Sequence, residues 1–105
     1  MTRLVVAAEA EADTDDILIY LEREASPRIA EAFGRRFRTA IERFVDLPES
    51  GSPRPALGRD IRISIVFPYI LIYRYSSQDD TVTLLRILHG RRNITSGLLT
   101  GGADR

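Results

Sequence analysis

An α+β fold is predicted for this chain from three observations. Apolar residues recur at helical spacing over two consecutive stretches between residues 8 and 47. The period then switches to two after residue 60, and the connections among the later segments are only a few residues long. The resulting order is an N-terminal strand, an antiparallel helical hairpin and a three-stranded antiparallel meander. The hairpin would pack its apolar stripe on one sheet face, giving two layers.

Each element has its own signal. Leu4-Val5-Val6 is a short β-prone run that must join the sheet along an edge. From about Ala8 the pattern is helical: Ala10, Thr14, Ile17 and Leu21 share one face, and Leu18 and Tyr20 widen it. Acids crowd the first half of this helix, where the macrodipole favours them, but no Ser or Thr caps its start. Ser26-Pro27 opens a second helix, Ser as N-cap and Pro at the first helical position. Its stripe is Ile29, Ala30, Phe33, Phe37, Ala40, Ile41 and Phe44, with Glu31–Arg35 and Arg38–Glu42 spaced for pairing on the polar side. Pro48 stops it, and the brief break at Glu24–Ala25 makes the two helices antiparallel neighbours.

Residues 49–58 read as a loop rich in Gly, Ser and Pro. Ile61, Ile63, Ile65 and Phe67 then alternate with Arg62, Ser64 and Val66. A turn at Pro68-Tyr69 leads into a strand over Ile70–Tyr75, and a second turn at Ser76–Asp80 into a strand over Val82–Leu88. Both faces of these strands are partly apolar, so the middle strand is expected to be covered on both sides or to await a partner. The Gly-rich tail, residues 95–105, is expected to be disordered.

Composition narrows the chemistry. The chain has 105 residues, 44% hydrophobic and 29% charged, which suits one globular domain with a modest core. Without Cys and with a single His, thiolate and multi-histidine metal sites are excluded, and no cofactor is implied. Met1–Ala8 lacks the pattern of a secretory leader, and no apolar run is long enough to span a bilayer. A cytoplasmic protein without membrane contact is therefore expected.

Net charge is zero, and every one of the fifteen basic residues is Arg, so no lysine can act as a base or phosphate clamp. Residues 9–24 hold seven acids against Arg23, whereas residues 54–92 hold seven Arg against Asp60, Asp79 and Asp80. A basic second half suits an acidic partner or nucleic acid.

The segment Tyr69-Ile-Leu-Ile-Tyr-Arg-Tyr75, followed after a turn by Val82-Thr-Leu-Leu-Arg-Ile-Leu-His-Gly-Arg-Arg-Asn93, resembles the C-terminal half of ParE-like toxins of the ParE/RelE superfamily. Ala10-Glu-Ala-Asp13, with Ile17 and Tyr20, is similar to that family's first helix. The resemblance covers roughly residues 4–94, within a domain of residues 1–94. It implies the toxin of a type II toxin–antitoxin system of the plasmid-stabilisation kind, held in a hetero-oligomer by a ParD-like antitoxin. In the ParE branch the implied target is DNA gyrase, bound rather than chemically altered. In the RelE branch it is mRNA on the ribosome, cut by an endoribonuclease. An inactive antitoxin-binding homologue is a third possibility, and fold alone does not choose among these.

The candidate residues follow from both readings. Ribonuclease chemistry needs a base, an acid and a charge on the phosphate. His89 and Arg86 are the candidates, and His89 lacks an evident partner base. The alternative for His89 is a hydrogen bond fixing the turn into Gly90. Arg86 lies among apolar neighbours, so it must pair within the domain or await a partner. Arg62, Tyr73, Arg74, Arg86, His89, Arg91 and Arg92 form the candidate target-binding set. Arg59 would join it; Tyr73 and Tyr75 could stack bases, but aromatic side chains on a sheet more often form core or an interface. For the antitoxin, the widened helical stripes nominate Leu18, Tyr20, Leu21, Phe37, Ile41 and Val45, with an open sheet edge as a second route.

Overall fold

A computed structural model describes residues 1–91, 97 and 99. The order is β1 (Arg3–Val6), α1 (Ala8–Glu24), α2 (Pro27–Asp46), β2 (Ser52–Pro53), β3 (Ile61–Val66), β4 (Tyr69–Ser76) and β5 (Thr81–His89), with a short 3₁₀ turn at Pro55–Leu57. The predicted α+β order is observed. Its one unforeseen strand is β2, a two-residue stretch containing Pro that pairs along the edge of β3, where a missing N–H is tolerated.

The helix boundaries follow local chemistry. Ser26 Oγ accepts from Ile29 N–H at 3.1 Å, so the expected cap of α2 is present. α1 starts at Ala7 without a side-chain cap; inside it, Thr14 Oγ1 donates to Ala10 O at 2.8 Å. The spacings Glu31–Arg35 and Arg38–Glu42 do not close into ion pairs, so these Arg side chains stay in solvent.

The sheet order is β1-β5-β4-β3-β2. β1 lies parallel to β5 at the edge, and its ladder is extended by Ala7 N–H donating to Leu84 O at 2.9 Å. The meander β3-β4-β5 is antiparallel throughout, with one register slip: Ile72 pairs with Arg86 and Tyr73 with Leu84, leaving Leu85 as the extra residue. Such a bulge re-aims a side chain. It lets Arg86 reach α1 although its partner Ile72 belongs to the far face. The turn residues Asp60 and Asp80 have positive φ, a conformation Asp tolerates better than bulky residues.

Each sheet face carries a core. On the helix side, Ala10, Phe37 and Phe44 meet Leu71, Tyr73, Leu84 and Ile87. On the other side, Ile61, Ile63, Ile72 and Leu88 are buried, with Leu57 and Leu99 packed against them. The middle strand is thus covered on both faces. Apart from Gly97 and Leu99, the tail over 95–105 lies outside the described residues, as does Arg92.

Candidate functional site

Arg86 and Asp13 make the best-defined polar contact in the domain. Arg86 Nε and Nη2 donate to Asp13 Oδ2 and Oδ1 at 2.7 and 2.9 Å, a bidentate pair in which each side chain is only 14% exposed. Asp13 Oδ2 also accepts Ile87 N–H at 3.0 Å. β1 ends opposite Leu84, so beyond it β5 is an edge strand, and a carboxylate from α1 takes an N–H that no strand reaches. The hydrogen bonds to Asp13 are the main reason that the Arg86 pKa is raised further above its ordinary value. Arg86 therefore ties α1 to β5. This corrects its assignment to target binding or to phosphate stabilisation, because the carboxylate already occupies the face of the guanidinium that a phosphate would use.

His89 is exposed at the end of β5. Its Nδ1 accepts from Arg91 N–H at 3.1 Å, and its ring stands edge-on to Tyr69 at 5.7 Å. Among the described residues no acid or base reaches it, so the turn-fixing reading is the one observed. Tyr69 has its phenol pKa raised, first by burial and then by the nearby Tyr20. Tyr20, on α1, thus sits close to the same end of the sheet, 61% exposed.

Tyr73 is not a surface residue. It is fully buried and stacked on Phe44 at 4.0 Å; its hydroxyl donates to Pro48 O at 2.8 Å and accepts from Gly51 N–H at 2.9 Å. Ordinary alternation along β4 places Tyr73 on the helix side with Leu71, opposite Ile70 and Ile72. Its target-binding assignment is withdrawn. Arg62 Nη1 donates to the carbonyls of Glu49 and Gly51 at 2.9 and 2.8 Å, which pins the same loop. Arg74 is exposed, with Nε 3.5 Å from Arg59 O.

The predicted basic patch is also divided. Arg74 pairs with Ile61 and Thr83, whereas His89 pairs with Tyr69 at the other end of β4, about 17 Å away at ~3.4 Å per residue. Arg62 and Arg74 lie at one end, and His89 and Arg91 at the other.

The antitoxin candidates are corrected too. Phe37 is 2% exposed, closed in by Phe33 and Tyr69 with ring centroids at 6.1 and 5.7 Å. Leu18, Leu21 and Ile41 pack against the same core, and Val45 is half-buried. Part of the stripe that looked too wide for one contact is thus taken up by this sheet face. Tyr20 alone of the set is exposed, beside Ile19, which the periodicity did not single out.

Sequence reasoning missed the groove between α2 and β3. Ala32, Arg35, Arg36, Thr39, Ala40, Arg43, Ser64, Ile65 and Val66 line a depression of about 720 Å³. Ile65 is 62% exposed there, and the adjoining Phe67 is 78% exposed. A signal did exist: α2 carries five Arg (28, 35, 36, 38 and 43) against Glu31, Glu42 and Asp46. Among the described residues no group of His, Cys, Asp and Glu could hold a metal.

Comparison with known proteins agrees with this architecture. A family model described as the ParE toxin of type II toxin–antitoxin systems, parDE, matches residues 4–94. Toxin ParE3 of Caulobacter vibrioides is 28% identical over 98 residues, covering 93% of this chain and 96% of that protein. Among solved structures, the chromosomal ParDE system of P. aeruginosa aligns with a TM-score of 0.70 at 20% identity, covering 85% of this chain and 96% of that one. The RelBE2 toxin–antitoxin complex of Mycobacterium tuberculosis aligns with a TM-score of 0.53 at 24% identity, covering 84% and 96%. These structural likenesses speak for the fold, and the family model with its matching span speaks for descent: the chain belongs to the ParE toxin family of type II toxin–antitoxin systems.

Proposed function

We propose that this toxin acts in the cytoplasm by binding DNA gyrase, without chemistry of its own, and that a co-encoded ParD-like antitoxin neutralises it. The observation that carries this reading is the state of the two residues a ribonuclease would need. Arg86 is engaged by Asp13, and His89 has Tyr69 and the Arg91 amide as its neighbours rather than a base. Cleavage of RNA at a 2′-hydroxyl requires a positioned proton acceptor, a proton donor and charge on the phosphate. Binding requires only a complementary surface, and exposed Arg, Ile65, Phe67 and Tyr20 supply one.

The test is His89→Ala. Growth arrest on expression without antitoxin is expected to be unchanged, and mRNA in a translating extract is expected to stay intact with either form. Ribosome-dependent cleavage by the native chain, lost in His89→Ala with folding preserved, would establish the endoribonuclease reading instead. A well-folded chain that binds antitoxin yet arrests nothing would mark an inactive homologue.

A further inference from the structure

We infer that the C-terminal segment of this chain is a releasable strap. Leu99 is its latch on the helix-free face of the sheet, and release enlarges the apolar surface that this face presents.

An antiparallel sheet with helices on one side commonly turns a polar face to water on the other. Here the second face is apolar. Ile61, Ile63, Ile72 and Leu88 are buried on it, none more than 8% exposed. The register sets them side by side: Ile63 pairs with Ile72, and Ile70 pairs with both Ile65 and Leu88. The side chains of α1 and α2 pack on the opposite cluster, so cover must come from outside the regular layers. It comes from Leu57 in the 3₁₀ turn and from Leu99, well past the last strand.

The exit from β5 aims the chain at the same face. Gly90 N–H donates to Pro68 O at 2.7 Å and fixes the turn after His89. A Cβ on Gly90 would come 3.0 Å from that carbonyl and 3.7 Å from Ile70 Cδ1. The backbone therefore leaves the sheet hard against Ile70, which packs with Ile72 and Leu88. Leu99 meets the same cluster further along the chain, so both ends of this stretch lie on one face.

The latch is shallow. Leu99 is only half-buried, and the segment around it carries Gly97, Gly101 and Gly102. Glycine loses the most backbone freedom on ordering, and one leucine must offset that loss. Closed and open states are then close in free energy, and opening leaves the rest of the domain folded. Release has a defined consequence. Ile65 and Phe67 are exposed beside the cluster in either state. With Leu99 away, Ile63, Ile72 and Leu88 join them in one apolar strip across β3, β4 and β5, a surface of the kind that binds partners.

The test uses the full chain. It contains no Cys, so a single introduced thiol reports only its own surroundings. Leu99→Cys is expected to be alkylated about tenfold more slowly than Leu47→Cys, at an exposed site just past α2. Leu99→Asp is expected to raise the fluorescence of an apolar-surface dye about threefold with circular dichroism unchanged, and Leu99→Met to leave it as native. Adding Ile65→Asp to Leu99→Asp should lower the dye signal again, because the strip is interrupted. Equal alkylation of the two folded thiol variants would overturn the latch. Native dye binding in Leu99→Asp would overturn the enlarged surface. Loss of helical circular dichroism in Leu99→Asp would overturn release, since Leu99 would then belong to the core on which the whole domain depends.

Discussion

Replacing Asp13 by Ala removes three accepted hydrogen bonds at once: two from the Arg86 guanidinium and one from the Ile87 amide. The loss is not only of attraction. Arg86 would keep its charge in a site where its side chain is 14% exposed, and Ile87 N–H would lose its acceptor at the β5 edge. A fully buried pair broken from one side costs about 3–5 kcal/mol, and partial exposure here lowers that to about 2–3 kcal/mol. In a domain of this size that corresponds to a fall in Tm of roughly 10–15 °C. Asp13→Asn keeps one oxygen acceptor but loses the charge, so about half of the loss is expected. Adding Arg86→Met to Asp13→Ala removes the stranded cation and should recover about 1 kcal/mol. Asp16→Ala, an exposed acid on the same helix, should stay within about 0.5 kcal/mol of native. Urea unfolding followed by circular dichroism measures all four. An Asp13→Ala variant as stable as Asp16→Ala would refute the view that this pair ties α1 to the sheet.

Other substitutions address the loop and the β1 edge. Tyr73→Phe leaves Pro48 O and Gly51 N–H without their partner and should lower stability by about 2 kcal/mol in the same urea assay. Gly51→Ala should cost more than Tyr73→Phe, because a Cβ there would strike the Tyr73 ring and hydroxyl and the Ile63 carbonyl, and Phe44 stacking prevents the ring from yielding. Asp80 Oδ1 accepts from Thr2 and Tyr75 hydroxyls, and these two bonds, Thr2 first, hold its pKa below the ordinary 3.8. Its contribution is thus complete above pH 3.8 and is lost as pH falls through the lowered folded value. Asp80→Asn, which keeps the oxygen and tolerates the positive φ, should flatten acid unfolding in that range; an unchanged acid profile would contradict the assignment.

The fold was legible wherever the signal was local. Ser26-Pro27, the Phe33–Phe37–Phe44 stripe and the alternation of Ile61, Ile63 and Ile65 each depend on neighbours a few residues away, and each element formed where it was expected. The site was less legible because its contacts are distant in sequence. Asp13 and Arg86 meet only after β1 stops short at Leu84 and a bulge re-aims Arg86. Spacing alone left the partner of Arg86 open. Tyr73 shares a face with Leu71 and Tyr75 as alternation requires, but alternation does not say which face the helices cover. Part of the width of the helical stripes, read as partner surface, packs on the core that holds Tyr69, Leu71 and Tyr73, while Tyr20 stays exposed. On α2, i,i+4 spacing suggested that Glu31 and Glu42 neutralise Arg35 and Arg38, and in the folded chain those pairs do not close.

Purified gyrase supercoiling relaxed plasmid, assayed with and without this chain, tests the central claim most directly. The account predicts inhibition that rises with toxin concentration, persists in His89→Ala and is reversed by the co-encoded antitoxin. Undiminished supercoiling in the presence of a folded chain that nevertheless arrests growth would contradict it.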